Sequence, residues 1–103
     1  MLPKRHRFSF KEKLPKNIYH SQSFNVRYGA NADELKVAVV VSRQVHKKAA
    51  IRNKIKRNLL KALADKINKD RRVNLIFYIK RKALDIANYE DELEQVIDLI
   101  EEL

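Results

Sequence analysis

Cysteine and tryptophan are absent from this 103-residue chain, which holds one glycine and two prolines. Without cysteine, disulfides and thiolate-bound zinc are excluded, which fits a reducing compartment. A single glycine leaves no glycine-rich loop to cradle a nucleotide phosphate. No apolar run approaches the roughly 18–20 residues needed to span a bilayer. The opening MLPKRHRFSF is basic but has no following apolar block, so it does not read as a secretory signal. The expectation is a cytoplasmic protein with no membrane partner and no small-molecule substrate.

Catalytic groupings are equally scarce. His6, His20 and His46 are scattered, and no HExxH or paired His/carboxylate spacing occurs. Outside the last 21 residues the acids are Glu12, Asp33, Glu34, Asp65 and Asp70, in positions that turns and helix ends explain. Ser9, Ser21, Ser23 and Ser42 have no recognisable base nearby in sequence. No catalytic or metal-ligating residue is therefore assigned to the protein. A metal-dependent nuclease acting alone is disfavoured by the missing carboxylate cluster.

What the chain has is charge. Its 23 Lys and Arg against 13 Asp and Glu give +10, a field that favours polyanions, nucleic acid before an acidic membrane. Residues 83–103 carry −8 with no Lys or Arg, leaving the first 82 at +18. So polarised a molecule presents one side to a polyanion and turns the other away.

The length and the 45% apolar content suit one domain with a modest core. Residues 1–20 read as a basic, irregular arm punctuated by Pro3 and Pro15, and 21–103 as the compact core. In the arm, Phe8 and Phe10 stand among Lys4, Arg5, Arg7 and Lys11; they either anchor the arm or stack on bases. From Ser21 to Tyr28, Phe24, Val26 and Tyr28 alternate with polar residues, the pattern of a half-buried strand. Gly29 to Asp33 supplies turn chemistry, and Leu35 to Ser42 is β-branched and nearly continuous, as in a strand covered on both faces. These two strands are expected to form a hairpin.

A helix from about His46 or Lys47 to Ile67 follows, with Ile51, Ile55, Leu59, Ala62 and Leu63 on its buried stripe. Asn68 to Arg72 turns the chain into the strand Val73 to Ile79, and Lys80, Arg81 and Lys82 extend the basic surface. The last helix is expected to begin at an Asn88 N-cap, with Glu90 and Asp91 complementing the helix dipole. Leu93, Val96, Ile97 and Ile100 give its apolar face, and the rest reads as solvated acid. The fold class is α+β, an α/β sandwich with a small sheet of about four strands, a basic central helix and a C-terminal amphipathic helix.

The stretch Arg43 to Lys61, RQVHKKAAIRNKIKRNLLK, holds eight Lys or Arg and no acid around its apolar stripe. Arginine forks and lysine point charges neutralise nucleic-acid phosphates and release counterions. Asn53 adds an amide that both donates and accepts, suited to shaped RNA. The RNA-binding set expected here is Arg43, Lys47, Lys48, Arg52, Asn53, Lys54, Lys56, Arg57 and Lys61. Phe24 and Tyr28 are either core filler or a surface for an extended strand.

KKAAIRNKIKRNLLK, preceded by VAVVVSR, resembles the signature of the protein subunit of bacterial ribonuclease P. That family has a helix of the form A-x-x-R-N-R-x-K-R after a strand ending in Ser or Ala and two basic residues. Ala49, Arg52, Asn53, Lys56 and Arg57 match it, and VNLIFYIKRKA and the Tyr-Glu opening of the final helix extend the likeness over roughly residues 22–103. The resemblance implies an α/β sandwich with a left-handed βαβ crossover, against the general right-handed rule. It implies a non-catalytic subunit of a ribonucleoprotein endoribonuclease. A large catalytic RNA performs Mg²⁺-dependent removal of the 5′ leader from precursor tRNA, and the metal is bound mainly by RNA and substrate. Lys48, Arg52, Asn53, Lys54, Lys56 and Arg57 would face that RNA. Phe24 or Tyr28, with Phe8 and Phe10 near the entrance, would serve a 5′-leader cleft. Lys54 replaces the motif's second Arg, Leu60 stands where the family commonly has Arg, and residues 9–20 are too short and proline-broken for the family's N-terminal helix bearing two Phe. The alternative is a structural RNA-binding protein, such as a small ribosomal protein, with no part in processing.

Overall fold

The structure is a computed structural model and describes residues 6–11, 13–31, 33–81, 83 and 90–103. Asn88, Tyr89 and Lys82, to which the sequence gives roles, lie outside the described residues. In chain order the elements are β1 (Asn17–His20), β2 (Phe24–Ala30), β3 (Lys36–Val40), α1 (Ala49–Lys66), β4 (Val73–Ile79) and α2 (Glu90–Glu101). The four strands form one mixed sheet in the order β1-β2-β4-β3. β1 and β4 run antiparallel to β2, and β3 runs parallel to β4.

The expected hairpin between β2 and β3 does not form, because β4 lies between them. β4 is the most apolar strand, with Leu75, Ile76 and Phe77 fully buried, and the central position pairs both its edges and covers both its faces. β3 is the edge strand instead. Its burial alternates, with Val37 and Val39 inside and Lys36, Ala38 and Val40 half-exposed. The chain crosses the end of β4 on Asn31. Its N–H donates to Arg72 O (2.8 Å), its Nδ2 donates to Asn74 Oδ1 (2.8 Å), and its Oδ1 accepts from the amides of Asp33 (2.8 Å) and Glu34 (3.1 Å). Gly29 is not a turn glycine either: it lies within β2 without a positive φ. Its missing side chain leaves Pro15 against the strand, 3.4 Å from where a Cβ would stand.

One face of the sheet holds the main core. Phe24 and Val26 of β2 join Leu75 and Phe77 of β4, and the Phe24 and Phe77 rings meet edge to face at 5.2 Å. Leu59 and Leu63 of α1 and Leu93, Val96 and Ile100 of α2 close over this face. The sequence's stripe is correct from its second turn on: Leu59 and Leu63 are buried and Ile55 and Ala62 pack against the core, joined by Leu60 from outside the stripe, whereas Ile51 stays half-exposed outside it. α1 starts at Ala49, later than the expected His46 or Lys47.

No described helix lies on the other face, yet Ile76 there is fully buried. The N-terminal arm crosses this side of the sheet. Arg7 bridges Val37 at the β3 edge, with Phe8 N–H donating to Val37 O at 2.9 Å. At the other side Pro15 rests on Gly29, and Arg27 Nη1 donates to Pro15 O at 3.3 Å. The arm therefore runs from the β3 edge to the β1 edge, and its last residues, read from sequence as irregular, form β1 itself.

Candidate nucleic-acid interface

A groove of about 790 Å³ opens between α1, the β3 edge and the arm. Helical spacing builds its α1 wall. Asn53, Lys56, Arg57 and Leu60 stand at i, i+3, i+4 and i+7, which brings them to one side of the helix. Val37, Ala38 and Val39 form the floor, and His6, Arg7, Phe8 and Phe10 the opposite wall. Phe8 is buried, while Phe10 is 55% exposed and meets the Phe8 ring edge to face at 5.5 Å. The arrangement is one exposed aromatic ring, held by a buried one, facing a row of amide and cationic side chains.

The charged lining residues are Arg7, Lys56 and Arg57, with no carboxylate among the described residues that line the groove. The helix N-terminus adds to this field. The N-cap is Lys48, no side chain caps the helix, and its first turn has no acid, so the positive end of the dipole is uncompensated. A phosphate chain is the natural complement of such a surface.

The sequence-derived residues divide into three groups. Asn53, Lys56 and Arg57 come together in the groove, joined by Phe8 and Phe10. Arg43, Lys47, Lys48, Lys54 and Lys61 are exposed but do not line it. Arg52 is turned the other way, its Nη1 donating to the carbonyls of His46 (3.0 Å) and Lys47 (2.8 Å), which braces the loop that enters the helix.

Two cleft assignments are corrected. Phe24 is 0% exposed and Tyr28 packs half-buried on the same core, so both belong to the helix-covered face and neither lines the groove. Alternation placed them on the apolar face of β2, and that face is the one the helices cover. Arg7 and His6 are polar groove residues outside the sequence-derived set, and His6 is the one with no signal in the sequence. It is buried, and its Nδ1–H donates to Leu35 O at 2.8 Å, a contact across 29 residues that leaves no local signal.

No group of three or more His, Asp or Glu stands ready to hold a metal among the described residues. The acids gather in α2, and one of them is structural. Glu92 accepts from Ser23 N (2.8 Å) and Ser23 Oγ (2.6 Å). Partial burial pushes the Glu92 carboxyl up, but the Ser23 hydroxyl and amide, helped by the Ser21 hydroxyl and the Gln22 amide, bring it below its ordinary value.

Fold and site together define a small α+β protein whose apolar core holds a cationic groove on the outside of an edge strand. The family model for Ribonuclease P matches residues 2–102, and the chain belongs to that family. Its fold is also that of two solved structures. One is the RNase P protein from Thermotoga maritima, 18% identical, with 84% of this chain and 83% of that one covered and a TM-score of 0.65. The other is the same organism's RNase P protein in complex with 1-(4-fluorophenyl)-2-thiourea, 20% identical, with 84% and 85% covered and a TM-score of 0.63. No curated protein sequence matches the chain. No helix among the described residues is long and apolar enough to cross a membrane.

Proposed function

We propose that this chain is the protein subunit of ribonuclease P, an endoribonuclease subunit that binds a large catalytic RNA and the 5′ leader of precursor tRNA in the cytoplasm. The observation that carries the reading is the i, i+3, i+4 row of Asn53, Lys56 and Arg57 facing exposed Phe10 across a groove with no carboxylate among its described lining residues. Lys56 and Arg57 neutralise phosphates, Asn53 hydrogen-bonds a ribose or base edge, and Phe10 offers a stacking face to a single-stranded base. The flanking cations Arg43, Lys47, Lys48, Lys54 and Lys61 extend the field over the catalytic RNA. Mg²⁺ is held by RNA and substrate phosphates, and the protein's contribution is to lower the RNA's dependence on it by supplying fixed positive charge. Hydrolysis at the mature 5′ end belongs to the RNA.

The test is reconstitution. The protein is added to its cognate RNA and a precursor tRNA at low Mg²⁺, and release of the 5′ leader is followed. A clear gain over RNA alone is expected, reduced in the Lys56→Ala/Arg57→Ala variant. No gain at any Mg²⁺ concentration, with the protein instead co-purifying with ribosomal subunits, overturns the reading in favour of a structural RNA-binding role.

A further inference from the structure

The groove is not the only concave basic surface. A second cavity of about 480 Å³ opens at the end of the sheet where β1 begins and β2 ends, lined by Lys13, Leu14, Pro15, Lys16, Asn17 and Asn74 over Gly29 and Ala30. The groove lies at β3, and this cavity lies over the ends of β2 and β4. The arm connects them, because it bridges β3 at Arg7 and reaches β2 at Pro15. Its described charged residues between those points, Lys11 and Lys13, are exposed cations. Residues 1–32 contain seven Lys or Arg against the single acid Glu12, so the N-terminal part of the chain is basic on balance.

We infer that this second cavity is a single-stranded-RNA subsite, and that a strand seated in the α1 groove continues along the arm into it. The inference rests on the reading of the groove given above. Its chemistry repeats that of the groove with different residues. Among the described lining residues the charged ones are Lys13 and Lys16, placed to meet phosphates. Exposed Asn17 presents an amide to a base edge or a 2′-hydroxyl. Leu14, 41% exposed, offers a small apolar ledge beside the buried Pro15. Gly29 keeps the floor open, since a side chain there would meet Pro15. Asn74 is held in place by the hydrogen bond its Oδ1 accepts from Asn31 Nδ2 at 2.8 Å. Cations, amides and a small apolar ledge in one concavity, continuous in charge with Arg7, Lys56 and Arg57, match a polynucleotide chain.

The consequence is a dependence on strand length. A short strand fills the groove alone, whereas a longer one also engages the second cavity. The experiment uses the full chain and fluorescently labelled oligouridylates of about 5 and about 15 nucleotides, lengths that bracket ordinary single-strand sites. Binding is read by anisotropy across a salt series for wild type, Lys13→Ala/Lys16→Ala and Lys56→Ala/Arg57→Ala. Lys13→Ala/Lys16→Ala is expected to bind the short strand like wild type and the long strand several-fold more weakly. Its log–log salt slope for the long strand should be shallower by about 1.4, or 0.7 per lost phosphate contact. Lys56→Ala/Arg57→Ala is expected to weaken both strands. Equal affinities and slopes for wild type and Lys13→Ala/Lys16→Ala on the long strand overturn the subsite and leave the groove reading intact. Failure of wild type to bind either strand overturns the groove reading and the subsite with it. Circular dichroism checks that these exposed substitutions leave the fold unchanged.

Discussion

Replacing Glu92 with alanine tests how the acidic helix is tied to the sheet. Ser23 is 0% exposed, and both its amide and its hydroxyl donate to the Glu92 carboxylate. Removing the acceptor leaves two buried donors unsatisfied, and hydrogen bonds to a charged acceptor are each worth about 1.5–3 kcal/mol. Glu92 is only partly buried, so water and screening reduce that sum to about 2–3 kcal/mol. For a domain of this size the loss corresponds to a Tm about 10–15 °C lower. Urea denaturation with the slope unchanged would measure it, and a double-mutant cycle with Ser23→Ala should return a coupling above about 1 kcal/mol. The pH dependence has a definite sign. The folded-state pKa of Glu92 lies below its unfolded value, so its contribution is complete above the unfolded pKa and is lost as pH falls through the folded one. The gap between wild type and Glu92→Gln should therefore narrow on acidification below about pH 4. A Glu92→Ala midpoint within about 0.5 kcal/mol of wild type would refute the clamp, because ordinary surface substitutions stay in that range.

Two further predictions concern the groove. Arg52→Ala should speed amide exchange in residues 46–48 and shift the single-stranded-RNA salt slope by less than the roughly 0.7 expected for Arg57→Ala, since the Arg52 guanidinium braces the His46 and Lys47 carbonyls; equal slope changes with unaltered exchange would assign Arg52 to RNA instead. Phe10→Ala should leave stability nearly unchanged yet cost single-stranded RNA about 1–3 kcal/mol of affinity, whereas Phe8→Ala, at a buried ring, should cost the fold about 3–5 kcal/mol. Oligonucleotide binding and thermal melts on the two variants separate these outcomes.

The parts of the fold legible in the sequence are those set by local periodicity. The 3.6-residue stripe through Ile55, Leu59 and Leu63 marked the core side of α1, and the same period put Asn53, Lys56 and Arg57 on a shared arc. Leu93, Val96 and Ile100 marked the core face of α2 in the same way. Strand order was not legible, because β2 and β3 are each plausible hairpin partners and only the burial of β4 on both faces decides against it. The cleft aromatics failed for a related reason. Alternation reports that Phe24 and Tyr28 share a face, but not whether helices or solvent cover that face. The arm was the least legible part. Its path across the sheet depends on contacts at Val37, Gly29 and Arg27, each far from it in sequence.

Placing eight acids in the last 21 residues of a +10 protein also has a structural reason. A domain bearing +18 in its first 82 residues repels itself, and the cost is greatest where cations must approach during packing. α2 returns negative charge to the helix-covered side of the sheet, where it makes specific bonds. Glu94 pairs with Lys66 of α1 at 3.3 Å, and Glu92 clamps the entry to β2. At the other end of α2, the Ile100 carbonyl accepts from Arg71 Nη2 at 2.6 Å, a cation at the helix C-terminus where the dipole favours it. These contacts draw Lys66 and Arg71 toward α2 and leave Arg7, Lys56 and Arg57 to face a groove with no carboxylate among its described lining residues. The same charge separation that offsets self-repulsion thus orients the molecule, since a polyanion approaching from the α2 side meets exposed Glu90, Asp91 and Asp98 before it meets any lysine of the groove.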